Sequence, residues 1–376
     1  MRAPAAVLLL LLSFAAGTAP AAGALPDEMP FPPTDRSLIL REEGAVYLVD
    51  GRVVIPKGVE ISCQKDIHIR SRSKAPAILV VEGSFKAHGV SGREIIFENV
   101  LVEPGPSFDE IQLDTCIFRK GGGLATPKDG SAEGRILLQI VSFTDRSRCD
   151  LAMTGASFQL LDSNSSGPLK LRGMPGKDGT NRLKAVVRGS RVSGIEAIGV
   201  ADLTVRLSGL RSDPLLFRDC AVLCFDGNKV EGRELRFEQT KAGGFARTQM
   251  MKCDLYTKVI TFRAPADPKR DDAVVLDKCW FEGVTDPKAI AERIRDSADD
   301  PTIDGDFVVG AEAVHLPAPL VDQAREVREP GALRPHAAGR RGLGRAVVRP
   351  LWQQHELGRV VLVLSDPARG AVRLAL

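Results

Sequence analysis

The residues best suited to chemistry in this sequence are three aspartates and two basic residues. Asp219, Asp271 and Asp272 could supply carboxylates, and Arg182 and Lys184 stand two positions apart. Two carboxylates facing one sugar linkage can act as general acid and general base, and clustered carboxylates can hold Ca²⁺. Charged turn residues are also the norm on an exposed surface, where they only contact solvent. These five residues are catalytic candidates only if the fold brings them together.

Other familiar catalytic and metal-binding patterns are missing from the sequence. The five histidines are scattered, and none has a serine or cysteine partner at a recognisable motif spacing. Cys220 and Cys224 are four positions apart, but no nearby histidine or cysteine completes a zinc site. We therefore predict neither a resident metal nor a cofactor.

Any such site must be positioned by strands, because the stretch from Ile78 to Phe97 has the period of a β-strand. Polar residues alternate there with small or apolar ones. A glycine- and serine-containing break follows, and Ile95 begins another strand. Further short strands are predicted from Val46 to Ile55 and from Val59 to Ile61. The predicted inward residues of the central stretch are Leu79, Val81, Gly83, Phe85 and Ala87.

Small side chains recur at one position of this strand-and-turn unit. Each follows an apolar residue by three positions, and the members are Cys116, Asn164, Ser190, Cys220, Cys253 and Cys279. Their separations are 48, 26, 30, 33 and 26 residues by subtraction, and Ser142 could fill the long first gap. A repeat of this length is typical of a solenoid. In a β-helix, equivalent side chains stack about 4.8 Å apart, so these residues should form a ladder.

The seven cysteines admit two interpretations. Free cysteine packs as a small hydrophobic residue, so we predict that most of the seven are buried ladder thiols. The alternative is one or two disulfides between neighbouring turns, although strand spacing alone does not guarantee disulfide geometry. An odd number leaves at least one thiol unpaired within the chain.

Two segments carry a resemblance to a known architecture. The stretch from Ile78 to Phe97 resembles the early turns of bacterial right-handed parallel β-helix proteins of the pectate-lyase-like superfamily. The stretch from Cys279 to Gly305 is similar to their last turns, where an aromatic pair precedes a short helix and an Asp-Asp-Pro. The resemblance implies an all-β, right-handed, single-stranded parallel β-helix with a short C-terminal capping helix.

The same resemblance implies what chemistry an active relative would use. Pectate lyases hold Ca²⁺ with acidic clusters and use Arg or Lys as the base, and Arg182-Leu183-Lys184 faintly resembles the Arg-x-Lys of polygalacturonases. The Asn-Thr-Asp and His-Gly that accompany that motif are missing in the required order. Ca²⁺ is therefore expected only if the chain is a polysaccharide lyase.

The two ends of the chain differ from the middle. Residues 1–24 have the apolar run and small-residue cleavage site of a secretory signal peptide, which predicts a secreted or periplasmic protein without a transmembrane segment. Residues 25–45 form an extended lead, residues 46–310 the β-helix, and residues 311–376 an Arg-rich, poorly ordered extension with one strand from Val360 to Leu364.

The amino-acid composition argues against some functions but does not identify a single one. The net charge of +3 is too small to predict nucleic-acid binding. The chain has two tryptophans and two tyrosines, so Tyr256 and Trp280 are among few residues able to stack on sugars. We therefore favour a non-catalytic structural or interaction role, with a cell-envelope polysaccharide or another exported protein as candidate partner. The alternative is a polysaccharide lyase or glycoside hydrolase.

Overall fold

The computed structural model is a right-handed parallel β-helix in which short strands wind around one apolar core. It describes residues 28–126, 130, 132–155, 157–176, 178–211, 214–240, 247–263, 273–277, 279–284, 289, 293–295, 306–308 and 360–365. Neighbouring turns pair in parallel throughout the solenoid, as the fold predicted from the sequence requires.

Within these described residues, thirty-two strands follow one another. The first sixteen are β1 (Glu28–Pro30), β2 (Leu38–Leu40), β3 (Val46–Val49), β4 (Arg52–Ile55), β5 (Glu60–Cys63), β6 (His68–Ser71), β7 (Ala77–Val81), β8 (Ser84–His88), β9 (Ile95–Glu98), β10 (Val100–Pro104), β11 (Ser107–Arg119), β12 (Gly123–Ala125), β13 (Glu133–Phe143), β14 (Arg148–Met153), β15 (Ser157–Leu161) and β16 (Asn164–Gly173). The others are β17 (Lys184–Arg188), β18 (Arg191–Ile198), β19 (Asp202–Arg206), β20 (Gly209–Leu210), β21 (Leu215–Arg218), β22 (Val222–Asp226), β23 (Lys229–Val230), β24 (Glu234–Glu238), β25 (Arg247–Met251), β26 (Asp254–Leu255), β27 (Val259–Arg263), β28 (Ala273–Asp277), β29 (Trp280–Phe281), β30 (Ile294–Arg295), β31 (Asp306–Val308) and β32 (Val360–Ser365).

The strands form three faces. Face A contains β1, β3, β6, β9, the ends of β11 and β13, the starts of β16 and β18, and then β20, β23, β26 and β29. Face B contains β4, β7, β10, β12, β14, the later parts of β16 and β18, and then β21, β24, β27 and β30. Face C contains β2, β5, β8, the early parts of β11 and β13, and then β15, β17, β19, β22, β25 and β28.

The core follows from the alternation of apolar and polar residues. The predicted inward residues Leu79, Val81, Phe85 and Ala87 are all fully buried, and their polar neighbours face outward. Because the turns stack in register, residues of the same type pack against one another inside the core. Phenylalanine rings form pairs of this kind, and an aromatic pair stabilises a fold by ~0.5–1.5 kcal/mol beyond its burial. The ring centroids of Phe97 and Phe118 are 4.7 Å apart, and those of Phe118 and Phe143 are 5.1 Å apart.

The corner between faces C and A has a fixed local geometry. One residue per turn adopts a left-handed backbone conformation there, with φ between 48° and 63°, and this bends the chain from one face to the next. The residues at this corner are Thr115, Ile140, Asp162, Gly189, Leu207, Gly227 and Lys252. The bend interrupts the backbone ladder, so the amide that follows it needs another hydrogen-bond acceptor.

A ladder of stacked side chains, as predicted from the sequence, supplies that acceptor at its serine and asparagine steps, and we call it the corner ladder. Its buried members are Cys116, Val141, Ser163, Ser190, Ser208, Asn228, Cys253 and Cys279. The backbone N–H of Val141 donates to Ser163 Oγ at 2.9 Å, and that of Ser163 donates to Ser190 Oγ at 3.1 Å. The N–H of Ser190 donates to Ser208 Oγ at 3.2 Å. Small polar side chains therefore recur because they satisfy backbone amides of the adjacent turn.

For three residues, the prediction that they belong to the ladder is wrong. Asn164 is exposed on face A, and its neighbour Ser163 occupies the inward position. Ser142 likewise points outward beside the buried Val141. Cys220 is buried at the corner between faces B and C. The reason is that successive turns differ in length, so a constant sequence separation does not identify stacked positions.

All seven cysteines are free thiols, so the disulfide alternative is wrong for this structure. Six of them are buried, as predicted for core thiols. Cys224 differs, because it is half-buried on the outer surface of face C.

Strands also occur in the two regions that flank the predicted β-helix. The expected lead contains β1, which pairs with β3, and β2, which pairs with β5. The strand predicted from Val360 is present as β32, and it pairs antiparallel with β28 and with β31. The signal peptide and most of the predicted capping helix fall outside the described residues, so both stay predictions. Within the part of the chain described above, no helix has the length and apolar character needed to cross a membrane.

Candidate functional site

The most site-like surface lies on face A, on strands β23, β26 and β29. Lys229 pairs in register with Asp254, and Asp254 pairs with Trp280. Glu231 and Tyr256 follow two positions later, and their backbone amides donate to the preceding turn at 2.6 and 2.8 Å. Three consecutive turns thus carry basic, acidic and aromatic side chains next to one another.

The sequence fixes which of these side chains face outward. Val230, Leu255 and Phe281 are the buried residues of the three strands, and they lie side by side in the core. Residues on either side of a buried strand residue point to the opposite face of the sheet. Lys229, Tyr256 and Trp280 are therefore held on the outer surface by the burial of their neighbours.

Tyr256 and Trp280 form what we call the aromatic platform. Their ring centroids are 5.2 Å apart and the ring planes meet at 62°. Both side chains are half-buried, so each ring is held by its surroundings and still presents part of its surface to solvent. A pair of rigid, partly exposed rings is an apolar surface that costs little conformational entropy on binding a ligand.

Charged groups border the platform. Lys229 Nζ lies 4.5 Å from the centroid of the Tyr256 ring and pairs with Glu231 Oε1 at 2.8 Å. The first contact is a cation–π interaction, in which the ring face attracts the ammonium group. Asp254 is only 2% exposed although it lies on the outer side of its strand. The platform therefore combines stacking surface with hydrogen-bonding groups, which is what a sugar ring needs from a protein.

The three described catalytic candidates from the sequence lie elsewhere, at the corner between faces B and C. Arg182 ends the loop between β16 and β17, where it pairs with Asp178 and donates to Thr180 Oγ1 at 3.2 Å. Lys184 begins β17 and is exposed on face C, where it pairs in register with Asp202. The structure thus brings Arg182 and Lys184 to one edge of the solenoid.

Asp219 lies at the same corner but has a turn-forming role. Its carboxylate accepts hydrogen bonds from the backbone N–H and the hydroxyl of Thr240, both at 2.7 Å. Arg182 precedes β17 and Asp219 follows β21, so Asp219 lies two turns further along the solenoid than Arg182. Asp271 and Asp272 lie outside the described residues, so their candidacy stays a prediction.

The sequence singles out Tyr256 and Trp280 as scarce aromatic residues but does not show that they are neighbours. They are 24 positions apart, by 280 − 256, and only the register of β26 with β29 makes them neighbours. The position of each aromatic residue relative to a cysteine could have indicated that they are neighbours, because Cys253 and Cys279 occupy adjacent steps of the corner ladder. Each aromatic side chain lies within three positions of its cysteine, which places both on the same face.

No metal site is visible in the described part of the chain, since no group of three or more His, Cys, Asp or Glu side chains could hold an ion. No family model, no curated protein and no solved structure matches this chain. The function therefore has to be argued from the geometry of the face A site.

Proposed function

We propose that this protein is an exported, non-catalytic β-helix that binds a polysaccharide on face A. The single observation that carries the proposal is the aromatic platform, where Tyr256 and Trp280 lie side by side beside Lys229. Sugar rings have apolar faces that stack on aromatic side chains and hydroxyl edges that bond to charged groups. The signal-peptide pattern of residues 1–24 supports export, and export would place the site among envelope or extracellular polysaccharides.

The shape of the surface supports an extended ligand. Face A is a parallel sheet whose outward side chains form straight columns with a step of about 4.8 Å. A polysaccharide lying along such a column meets one protein turn after another. The platform occupies the last two described turns of that column and would bind one or two sugar rings of a longer chain.

The catalytic alternative is weaker at this site. A glycosidase needs two carboxyl groups on opposite sides of one linkage. Near the platform, Glu231 is already paired with Lys229, and Asp254 is buried. If the protein were a lyase or hydrolase of the same fold, the experiment described next would detect its activity.

The test is affinity electrophoresis of the mature protein through gels that contain soluble neutral or acidic polysaccharides. The double variant Tyr256→Ala/Trp280→Ala should bind at least about tenfold more weakly than the wild type, as expected for central aromatic contacts. The matched control is Leu137→Ala/Val186→Ala, which removes two outward apolar side chains from one column of face C. Circular dichroism and thermal unfolding should show that both variants fold.

Size-exclusion chromatography of each polymer after incubation, with Ca²⁺ and with chelator, completes the test. Retardation without shortening supports a binding protein. Shortened polymer would replace the proposal with a lyase or hydrolase. Absence of retardation in every gel, or equal binding by both double variants, would contradict a glycan site on face A.

A further inference from the structure

A second group of side chains on face A lies in the same columns as the aromatic platform. Arg191, Gly209 and Lys229 pair in register on β18, β20 and β23. Arg211 follows Gly209 by two positions. We call the four residues Arg191, Gly209, Arg211 and Lys229 the basic notch.

The glycine is the floor of the notch. A Cβ placed on Gly209 would lie 3.9 Å from Arg191 Cγ and 3.9 Å from Arg211 Nε, so both arginine side chains converge over this residue. Any larger residue would fill the space between them. Two arginine side chains therefore flank a position that has no side chain of its own, and Lys229 is its register partner on the next strand.

The two arginines of the notch lack an acidic partner among the residues that the structure describes. Arg191 and Arg211 are exposed, and neither has an ion-pair partner among the described residues. Glu231 is the acidic residue nearest to Arg211 in the adjacent turn, but its carboxylate pairs with Lys229 at 2.8 Å. Two converging guanidinium groups with no counter-charge in the described part of the chain form a site suited to an oxyanion.

The first turns of the same face are built differently. Arg119 and Lys120 both pair with Glu98, at 2.6 and 2.7 Å, and Arg70 pairs with Glu28. These three outward cations of face A therefore each have an acidic partner in an earlier turn. The notch departs from that arrangement at the point where the column leads into the aromatic platform.

Together, these observations indicate the chemical class of the ligand. We infer that the basic notch binds an anionic substituent, a carboxylate or a sulfate, on the same polysaccharide whose rings stack on Tyr256 and Trp280; this inference rests on the proposed function. Four strand steps of about 4.8 Å separate β18 from β29, so the strip is about 19 Å long. Lys229 joins the two parts, because it belongs to the notch and contacts the Tyr256 ring.

The test compares four polymers in affinity gels, namely polygalacturonate, its highly methyl-esterified form, dextran sulfate and neutral dextran. Binding should be at least about tenfold tighter to one acidic polymer than to its neutral counterpart, and preference for polygalacturonate or dextran sulfate identifies the group as carboxylate or sulfate. The variant Arg191→Gln/Arg211→Gln should lose that preference. Gly209→Val should weaken acidic-polymer binding while it leaves the charge of the protein unchanged.

The matched control is Arg36→Gln/Arg41→Gln, which removes two exposed arginines from the first turns and should leave binding unchanged. Equal binding of acidic and neutral polymers, with loss only in Tyr256→Ala/Trp280→Ala, would overturn the notch and leave the proposed function intact. Binding of no polysaccharide would overturn both. Equal or tighter binding of single-stranded polyuridylate would also overturn the inference, since the notch would then be a general polyanion site.

Discussion

Asn228 and Ser208 lie in adjacent turns of the corner ladder and are joined by a hydrogen bond. Asn228 Oδ1 accepts a hydrogen bond from the backbone N–H of Ser208 at 3.0 Å, and its Nδ2 donates to the carbonyl oxygen of Val205 at 2.8 Å. Asn228 is fully buried. One side chain therefore satisfies a donor and an acceptor of the adjacent turn in the interior of the protein.

Replacing Asn228 with leucine should lower the free energy of unfolding by about 3 kcal/mol, because two buried backbone groups lose their partners. Urea denaturation measures this change. The control is Asn164→Leu, since Asn164 is exposed on face A and should change stability by no more than about 0.5 kcal/mol. Similar losses in the two variants would contradict the role assigned to the ladder.

Gly83 should not tolerate a methyl group. A Cβ at this position would lie 2.2 Å from the carbonyl oxygen of Val59 and 2.3 Å from that of Pro56, both of which are backbone atoms of the preceding turn. Gly83→Ala should therefore destabilise the protein by about 3 kcal/mol in thermal or urea unfolding. Gly209→Ala is the control, because its nearest neighbours would be at 3.9 Å and stability should change little. An unchanged Gly83→Ala protein would mean that the turns are less closely spaced than described.

Cys224 should be the thiol that reacts in the native protein. Burial raises the pKa of Cys63, Cys116 and Cys149 far above the ordinary value and that of Cys220 to about 12, so these thiols are both inaccessible and protonated. Burial also raises the pKa of Cys224 above 9.0, against the opposing charge of Arg206, but this side chain reaches the surface.

Iodoacetamide labelling followed by mass spectrometry should therefore modify one thiol per native chain, and all seven in denaturant. The rate should keep rising as the pH is increased through 9.0, because the thiolate of Cys224 forms later than that of an ordinary cysteine. Cys224→Ser should abolish native labelling. Rapid labelling of a second residue would show that a core thiol is accessible.

Glu98 should contribute stability that depends on pH. Burial alone would raise its pKa, but hydrogen bonds from Lys120 and Arg119, with their charges, lower the pKa below 4.5. Because the pKa is lower in the folded state, the stabilisation is present above pH 4.5 and is lost as the pH falls through the folded value. Glu98→Gln should thus cost about 1 kcal/mol at pH 7 and much less at pH 3.

Chemical denaturation of Glu98→Gln and wild type at both pH values measures the difference. Glu42→Gln is the control, since Glu42 is exposed and has no ion-pair partner in the described residues. A cost that is the same at pH 7 and pH 3 would show that the ion pairs of Glu98 do not stabilise the fold.

Local patterns in the sequence determined the strands and their orientation. The alternation around Phe85 follows from backbone geometry, in which successive side chains point to opposite faces, so the inward residues could be assigned without a structure. The recurrence of small polar and thiol residues likewise indicated stacked turns, because equivalent inward positions of successive turns lie side by side in a solenoid. Both signals are carried by residues a few positions apart.

The tertiary structure decided which distant residues meet. Steps of the corner ladder range from 18 residues, between Ser190 and Ser208, to 27 residues, between Ser163 and Ser190. Loops of different length leave the solenoid between faces B and C, so sequence separation does not predict register. That is why Ser163 could not be distinguished from Asn164. It is also why the meeting of Tyr256 with Trp280, on which the candidate site depends, emerged only from the pairing of β26 with β29.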